Sequence, residues 1–573
     1  MSDFKYAVRT LIRNPSFTAV VILTLGLGIG ATTAIFSVVN AVLIQPLPYR
    51  DANRLFATQA SLPDYQDLTA STQAFDATAS WASNLYNLAT GTDTRQVLGG
   101  TVTRSLLPLL GAEPIIGRNF TAEDETRPTV ILSDSLWRTK FGGDAGVLGQ
   151  SVRLSGTTYT VIGVAPAWFR FPTAEFQLWT PLRLIEQQAP KQAANRAFRI
   201  FRVVAHLKPG VTPGQAQAEL SALSARLVRE FPATNEGMTL TLVPLRDRIV
   251  GEARPALKLL LGTVALLLLV ACANIANLLL ARTTVREREF AIRTALGAGR
   301  GRILRQLVVE SFTLAIAGGL LGILITMWGV DALRSLLDAR LPRAEGIRID
   351  TTVLAFSMIA TLVTGMIFGL APALQAARGT SGALKESGRG ILGTSRGRRI
   401  RRTIAIAQIA LAFVVLVGAG LLVRSFMAIT AHDLGFVPAH LLSFNVQLVQ
   451  LPDDVARAEA AAQLIERLSH VPGVEAVGGA TGLAAVTPQR GARFAIEGRT
   501  LTSSQDTALF MAATSGYFRA LQAAVLQGRP IGAADSPASE PVVLVNRTLA
   551  QQLFPNGDAV GQRLRILYPE QSA

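Results

Sequence analysis

The sequence predicts an α-helical membrane protein: five transmembrane helices carrying two α+β extracytoplasmic domains, laid out as an incomplete tandem duplication. Three observations predict it. The chain holds five long uncharged runs, its excess positive charge is confined to three short segments, and a set of short motifs recurs in order 411 to 413 residues further on.

The uncharged runs come first. Only 16% of the 573 residues are charged and the mean hydropathy is +0.35, whereas soluble chains carry about 25% charge. The deficit is concentrated in Asn14–Tyr49, Leu259–Ala281, Ser311–Val330, Thr351–Ala377 and Thr403–Val423, with 36, 23, 20, 27 and 21 residues. About 20 apolar residues rising about 1.5 Å each cross a bilayer core as a helix. A buried core helix could explain one such run but not five together. The apolar part of the first run, Phe17 to Ile44, exceeds the roughly 7–15 residues of a signal-peptide core, so it reads as an uncleaved anchor.

Orientation follows from the charge. Residues 1–16, 282–310 and 378–402 hold eighteen basic against five acidic residues, which is +13 of the chain's +16. All three fall on one side if the five spans alternate in direction. Positive charge marks the cytoplasmic side, so the N-terminus is expected there. Nucleic acid is not needed to explain the charge.

The resulting order is a cytoplasmic N-terminus (1–16), span 1 (17–44), a first outer domain (45–256), span 2 (257–281) and a cytoplasmic loop (282–306). Span 3 (307–330), a short outer loop (331–350), span 4 (351–374), a basic cytoplasmic linker (375–402), span 5 (403–423) and a second outer domain (424–573) follow. In the first outer domain, Ser151–Val164 reads as a hairpin turning at Ser155-Gly156. Arg199–Leu207 alternates like a strand. Thr212 and Pro213 then start a helix running to about Glu230, and Met238–Leu245 reads as a further strand.

The repeat links the two outer regions. Gly117-Arg118, Val130–Leu132, Phe141 and Gly149-Gln150 recur as Gly528-Arg529, Val543–Val545, Phe554 and Gly561-Gln562. The first copy is a span, an outer domain and three spans, whereas the second is a span and an outer domain. The expectation is that the chain is cut short or that a partner supplies the rest.

Several chemistries find no support in the residues. The five uncharged runs carry no Asp, Glu, Lys, Arg or His, which disfavours proton-coupled transport. Cys272 is the only cysteine, and His206, His432, His440 and His470 are scattered, so no metal cluster or cofactor site is expected. No Gly-x-x-x-x-Gly-Lys-Ser/Thr loop occurs, so an ATPase would have to be a separate protein. No nucleophile motif or carboxylate pair marks an enzyme in the outer domains. Gly26-x-x-x-Gly30, Gly318-x-x-x-Gly322 and Gly365-x-x-x-Gly369 are spaced for close helix contact in lipid.

The cytoplasmic stretch 281–300 is the most informative. As a helix it places Val285, Ile292, Ala295 and Leu296 near one face, and Gly297 and Gly299 then break it. Such a helix between two spans can receive a push from a bound motor. On physical grounds alone, a basic loop lying on anionic membrane lipid explains the arginines equally well.

A resemblance adds to this reading. Glu289-Phe-Ala-Ile-Arg-Thr-Ala-Leu-Gly-Ala298, followed by Gln306 and Glu310, resembles the signature loop of MacB/FtsX-type ABC permeases. Arg13–Phe17 with Gly26–Gly30 is similar to the start of that family. Gly418–Phe426 and Leu434–Phe436 resemble the second-half entry of its duplicated orphan permeases. The resemblance implies MacB-like periplasmic core domains outside the membrane, an FtsX-like block in spans 2–4 and a cytoplasmic ABC ATPase subunit as partner. It also implies that Arg286, Glu287, Arg288, Glu289, Phe290, Ile292, Arg293, Leu296 and Gly297 couple to that ATPase. Dimerisation with a second copy or another permease stays open. Two functions fit: an export permease driven by the partner's ATP hydrolysis, and an FtsX-like regulator of a periplasmic enzyme that transports nothing.

Overall fold

The computed structural model describes residues 9–567 except 10, 91–92, 252, 286–299, 338–342, 344–345, 380–394, 431–433, 447, 449–453, 483–489, 497–506, 533, 537–538 and 556. The chain divides into two units. One comprises Met1–Leu47 and Arg246–Thr430, the other Pro48–Leu245 and Ala431–Ala573.

The first unit is helical. Its long helices are α1 (Pro15–Val39), α2 (Ala253–Val285), α3 (Arg300–Leu337), α4 (Thr351–Gly379) and α5 (Ser395–Thr430). Pro15 starts α1, where its missing N–H breaks no helical bond. α1 then runs on through a π-helical turn, Asn40–Ile44. Each helix contains a stretch long and apolar enough to cross a membrane: Pro15–Ile44, Arg254–Leu279, Arg305–Ser335, Thr351–Gly369 and Ala405–Ala428. Leu25 and Ile29 of α1, Ile275 of α2, Leu314 of α3 and Phe368 of α4 bury their side chains together. A second cluster joins Val38 and Val42 to Leu257 and Val330. Leu320, Leu324, Met358 and Leu416 point away from these cores. An exposed apolar girdle on this scale suits hydrocarbon rather than water.

The second unit contains a ten-stranded mixed sheet. Its strands are β1 (Leu55–Ala60), β2 (Phe75–Thr90), β3 (Asp93–Val102), β4 (Ile116–Gly117), β5 (Thr129–Leu132), β6 (Ser151–Leu154), β7 (Thr157–Val164), β8 (Phe176–Pro181), β9 (Phe201–Leu207) and β10 (Val243–Pro244). The order is β10-β1-β9-β2-β3-β8-β5-β7-β4, with β6 paired to β2 and β7. The β6–β7 hairpin turns at Ser155-Gly156, both at positive φ as a tight hairpin turn requires. The helix Pro213–Glu230 starts in a capping box between Thr212 and Gln215. Its Ala216, Leu220, Leu223 and Leu227 pack with Phe201 and Val203 of β9.

Of the expected strand Met238–Leu245, only Val243–Pro244 pairs. The reason is local. The Leu240 N–H donates to Ser224 Oγ at 2.9 Å and the Leu242 N–H to Gln217 Oε1 at 2.7 Å. Helix side chains therefore satisfy the backbone that a neighbouring strand would otherwise serve.

The later part of this unit has a helix Asp454–Ser469 and a small antiparallel sheet of β11 (Arg490–Ile496), β12 (Thr507–Phe510) and β13 (Leu564–Leu567), ordered β12-β11-β13. Local geometry of the first part recurs here. Gly117 and Gly528 share φ near +80°, at 79° and 80°, as do Gly149 and Gly561 at 79° and 83°. Arg118 pairs with Asp124 and Arg529 with Asp535, and each aspartate also accepts a backbone N–H three residues earlier. Ser133 caps the helix Asp134–Phe141, and Asn546 caps Arg547–Leu553. Asp144 and Asp558 each accept the N–H two residues on.

Candidate functional site

The helical unit is held at its closest points by glycine. A Cβ built on Gly30 of α1 would lie 2.9 Å from the Gly322 carbonyl oxygen and 3.0 Å from Ile325 Cβ of α3. One on Gly318 would lie 2.5 Å from Leu25 Cβ, and one on Gly322 would lie 3.1 Å from Ile29 Cγ2. Thr326 Oγ1 donates to the Gly30 carbonyl at 3.1 Å across the same seam. Nearer the start of α3, Gly365 and Gly369 of α4 approach Ala315 and Ser311, at 3.0 and 2.8 Å from a built Cβ. All three glycine pairs expected from spacing therefore lie at helix contacts. Small residues let these backbones approach closely enough for dispersion to hold them in lipid.

The expected coupling residues Arg286, Glu287, Arg288, Glu289, Phe290, Ile292, Arg293, Leu296 and Gly297 lie outside the described residues. What is described is their mounting. The segment 286–299 joins the end of α2 at Val285 to the start of α3 at Arg300, and both helices pack on α1. α2 also holds α5 through amides. Asn277 Nδ2 donates to Gln408 Oε1 at 3.1 Å, and Gln408 Nε2 donates to Asn274 Oδ1.

The far end of the same bundle carries a polar cluster that the sequence did not single out. Asp350 precedes α4 and caps it, accepting the Val353 N–H at 2.8 Å. The same carboxylate accepts Asn40 Nδ2 and Gln45 Nε2, both at 2.9 Å. Partial burial opposes ionisation of Asp350, but these donors outweigh it and hold the carboxyl below the usual carboxylate range. Arg343 donates to the Gln45 and Pro46 carbonyls, each at 2.9 Å. Asn40 is one of the polar residues visible within the spans. An aspartate immediately before an uncharged run, with an amide at the end of another run, is the signal that could have paired them.

The strand-rich unit carries ion pairs rather than an active-site constellation among its described residues. Buried Asp64 contacts Arg196 at 2.6 Å and Arg199 at 3.6 Å, and accepts Asn235 Nδ2 at 3.2 Å. His206 Nδ1 lies 2.7 Å from Asp76 Oδ1. Among the described residues no group of three or more histidine, cysteine or acidic side chains could hold a metal ion.

Comparison with known proteins follows this division. The family model of the MacB-like periplasmic core domain matches residues 18–223 and again 403–570, together more than half of the chain. The chain belongs to the MacB/FtsX-type ABC permease family. The model of the FtsX-like permease C-terminal region matches 261–380, which includes most of α2, all of α3 and α4, and the loop 286–299.

Curated relatives include the macrolide export ATP-binding/permease protein MacB of Chromobacterium violaceum, 27% identical over 283 residues, covering 48% of this chain and 41% of that protein. Its namesake in Salmonella typhimurium is 28% identical over 271 residues, covering 46% and 39%. The chain thus spans about two fifths of the length of these relatives. The periplasmic region of MacB from Actinobacillus actinomycetemcomitans aligns at TM-score 0.29 and 14% identity, covering 37% of this chain and 97% of that one. The extracellular domain of the ABC-type transporter YknZ aligns at TM-score 0.26 and 14% identity, covering 34% and 91%. As a MacB/FtsX-type permease with five membrane-length helices among the described residues, the chain is a membrane protein.

Proposed function

We propose that this chain is the permease component of an ABC-type export or mechanotransmission system powered by a separate cytoplasmic ATPase. The observation that carries the reading is the mounting of 286–299. A displacement of this segment would act on α2 and α3 together, and both are packed against α1, whose chain leads directly into the strand-rich unit. Close glycine contacts between α1 and α3 favour movement of the pair as one piece, since packed interiors transmit strain rather than absorb it.

In this reading the ATPase contacts Arg286 to Gly297, the N-terminus is cytoplasmic and the strand-rich unit lies outside. The absence of a phosphate-cradling loop from these 573 residues and of Asp, Glu, Lys, Arg and His from the five uncharged runs is consistent with energy supplied by a partner. The recurring Arg–Asp pairs, positive-φ glycines and helix caps support a second, partial copy of the outer module in residues 403–573.

The test is co-purification of the full chain with an ATPase, before and after deletion of 286–298 and after charge reversal at Arg288 and Arg293. Loss of the ATPase supports the assignment, and undiminished association refutes it. Vesicle transport separates export from regulation of a periplasmic enzyme: ATP-driven substrate movement marks the first, and activation of a bound hydrolase without movement marks the second.

A further inference from the structure

We propose that Asp350 is a positioning residue that fastens the exit of α1 to the start of α4, so that the two move as one body; this deepens the transmission reading and rests on it. The geometry is specific. One carboxylate caps α4 through the Val353 N–H and at the same time accepts the side-chain amides of Asn40 and Gln45. These two residues bracket the π-helical turn Asn40–Ile44, closed by the Gln45 N–H donating to the Asn40 carbonyl at 2.8 Å. π-turns leave a helix able to take more than one course and recur at functional positions. Here the course is fixed from outside the helix. Arg343 takes the Gln45 and Pro46 carbonyls, so a second residue of the connection from α3 to α4 holds the chain leaving α1.

The grip is strong where it matters. Asn40 is 2% exposed, so its amide would be left without a partner if the carboxylate were removed, and a buried unmet donor is costly. Movement of α3 or α4 would therefore be passed to the chain leaving α1 rather than lost in a compliant turn. Cap and grip are separable. Serine caps a helix about as well as aspartate, but its hydroxyl is too short to reach two amides on another helix.

The experiment uses the full chain in lipid nanodiscs and follows amide hydrogen exchange in 40–47 and at the start of α4. Asp350→Ser is expected to leave the α4 start protected while exchange in 40–47 rises about tenfold or more. Gln45→Ala, which removes one donor and leaves the cap intact, is expected to move 40–47 in the same direction by less. Unchanged exchange in 40–47 in both variants overturns the proposal, because Asp350 would then be a helix cap only. With the co-purified ATPase present, Asp350→Ser is expected to keep ATPase association but to lose nucleotide-driven exchange changes in 48–245; their persistence overturns it too. If no ATPase associates with the wild-type chain, the transmission reading fails, and the 40–47 measurement still decides the role of Asp350.

Discussion

Substituting Gly30 by leucine tests whether the α1–α3 seam is the structural core of the membrane unit. The nearest obstacle to a Cβ at Gly30 is the Gly322 carbonyl oxygen at 2.9 Å, followed by Ile325 Cβ and Cγ2 at 3.0 Å. The first of these is backbone and cannot rotate aside. The helices must therefore separate, and the Thr326 Oγ1 bond to the Gly30 carbonyl at 3.1 Å lengthens with them. Overpacking a well-fitted interior costs about 1–3 kcal/mol, and a hydrogen bond between membrane helices contributes about 0.6 kcal/mol. The expected loss is thus about 2–4 kcal/mol. Gly262→Ala in α2 is the control, because a Cβ there meets nothing within 4 Å. Thermal unfolding of both variants in detergent, followed by intrinsic fluorescence, gives the comparison. Gly30→Leu should unfold well below wild type and Gly262→Ala at or above it. Equal midpoints for the two would refute the account of the seam.

Three further outcomes are expected. Gln408→Leu removes both amide bonds between α5 and α2 and should weaken their association by about 0.6–1.7 kcal/mol, read as reduced disulfide trapping between cysteines placed on the two helices in a Cys272→Ala background. Asp64→Ala leaves Arg199 at a buried site without its carboxylate, while Arg196 keeps Asp67 at 2.7 Å, and should lower stability by about 3 kcal/mol in chemical denaturation. Asp535 is held at a pKa of about 2 by hydrogen bonds from Arg529 and from the Gly532 N–H. Its folded pKa lies below its unfolded value, so its contribution is complete above pH 4 and is lost as pH falls from about 4 to about 2. Carbon-detected NMR titration should show the Asp535 carboxyl moving towards the ordinary range in Arg529→Ala.

Some of this architecture is legible in the sequence. Uncharged runs mark the helices because a charge in hydrocarbon is costly: four of the five runs fall within a membrane-length helix, and the first, Asn14–Tyr49, overruns Pro15–Ile44 by one residue before it and five after it. The helices themselves extend further: α3 begins at Arg300, eleven residues before its uncharged run at Ser311, because helix formation does not require the apolar solvent that the run reports. Turn and cap chemistry was equally readable at Ser155-Gly156 and Thr212, where local residues dictate local conformation. Met238–Leu245 was misread because alternation reports burial. Leu240 is buried, but helix side chains rather than a strand meet its backbone. Asp350, in the short loop 331–350, carries no local signal, since its partners Asn40 and Gln45 lie 310 and 305 positions away. The coupling stretch Arg286–Gly297 remains a sequence-level assignment, carried by its motif and by the helices that mount it.

The central claim is that segment 286–299 connects this permease to an ATPase. Affinity purification of the full chain from native membranes, with ATP hydrolysis measured on the eluate, tests it most directly. The account predicts ATPase activity with the wild-type chain and its loss when 286–298 is deleted while the protein still folds and inserts. Equal activity with and without that segment would contradict it.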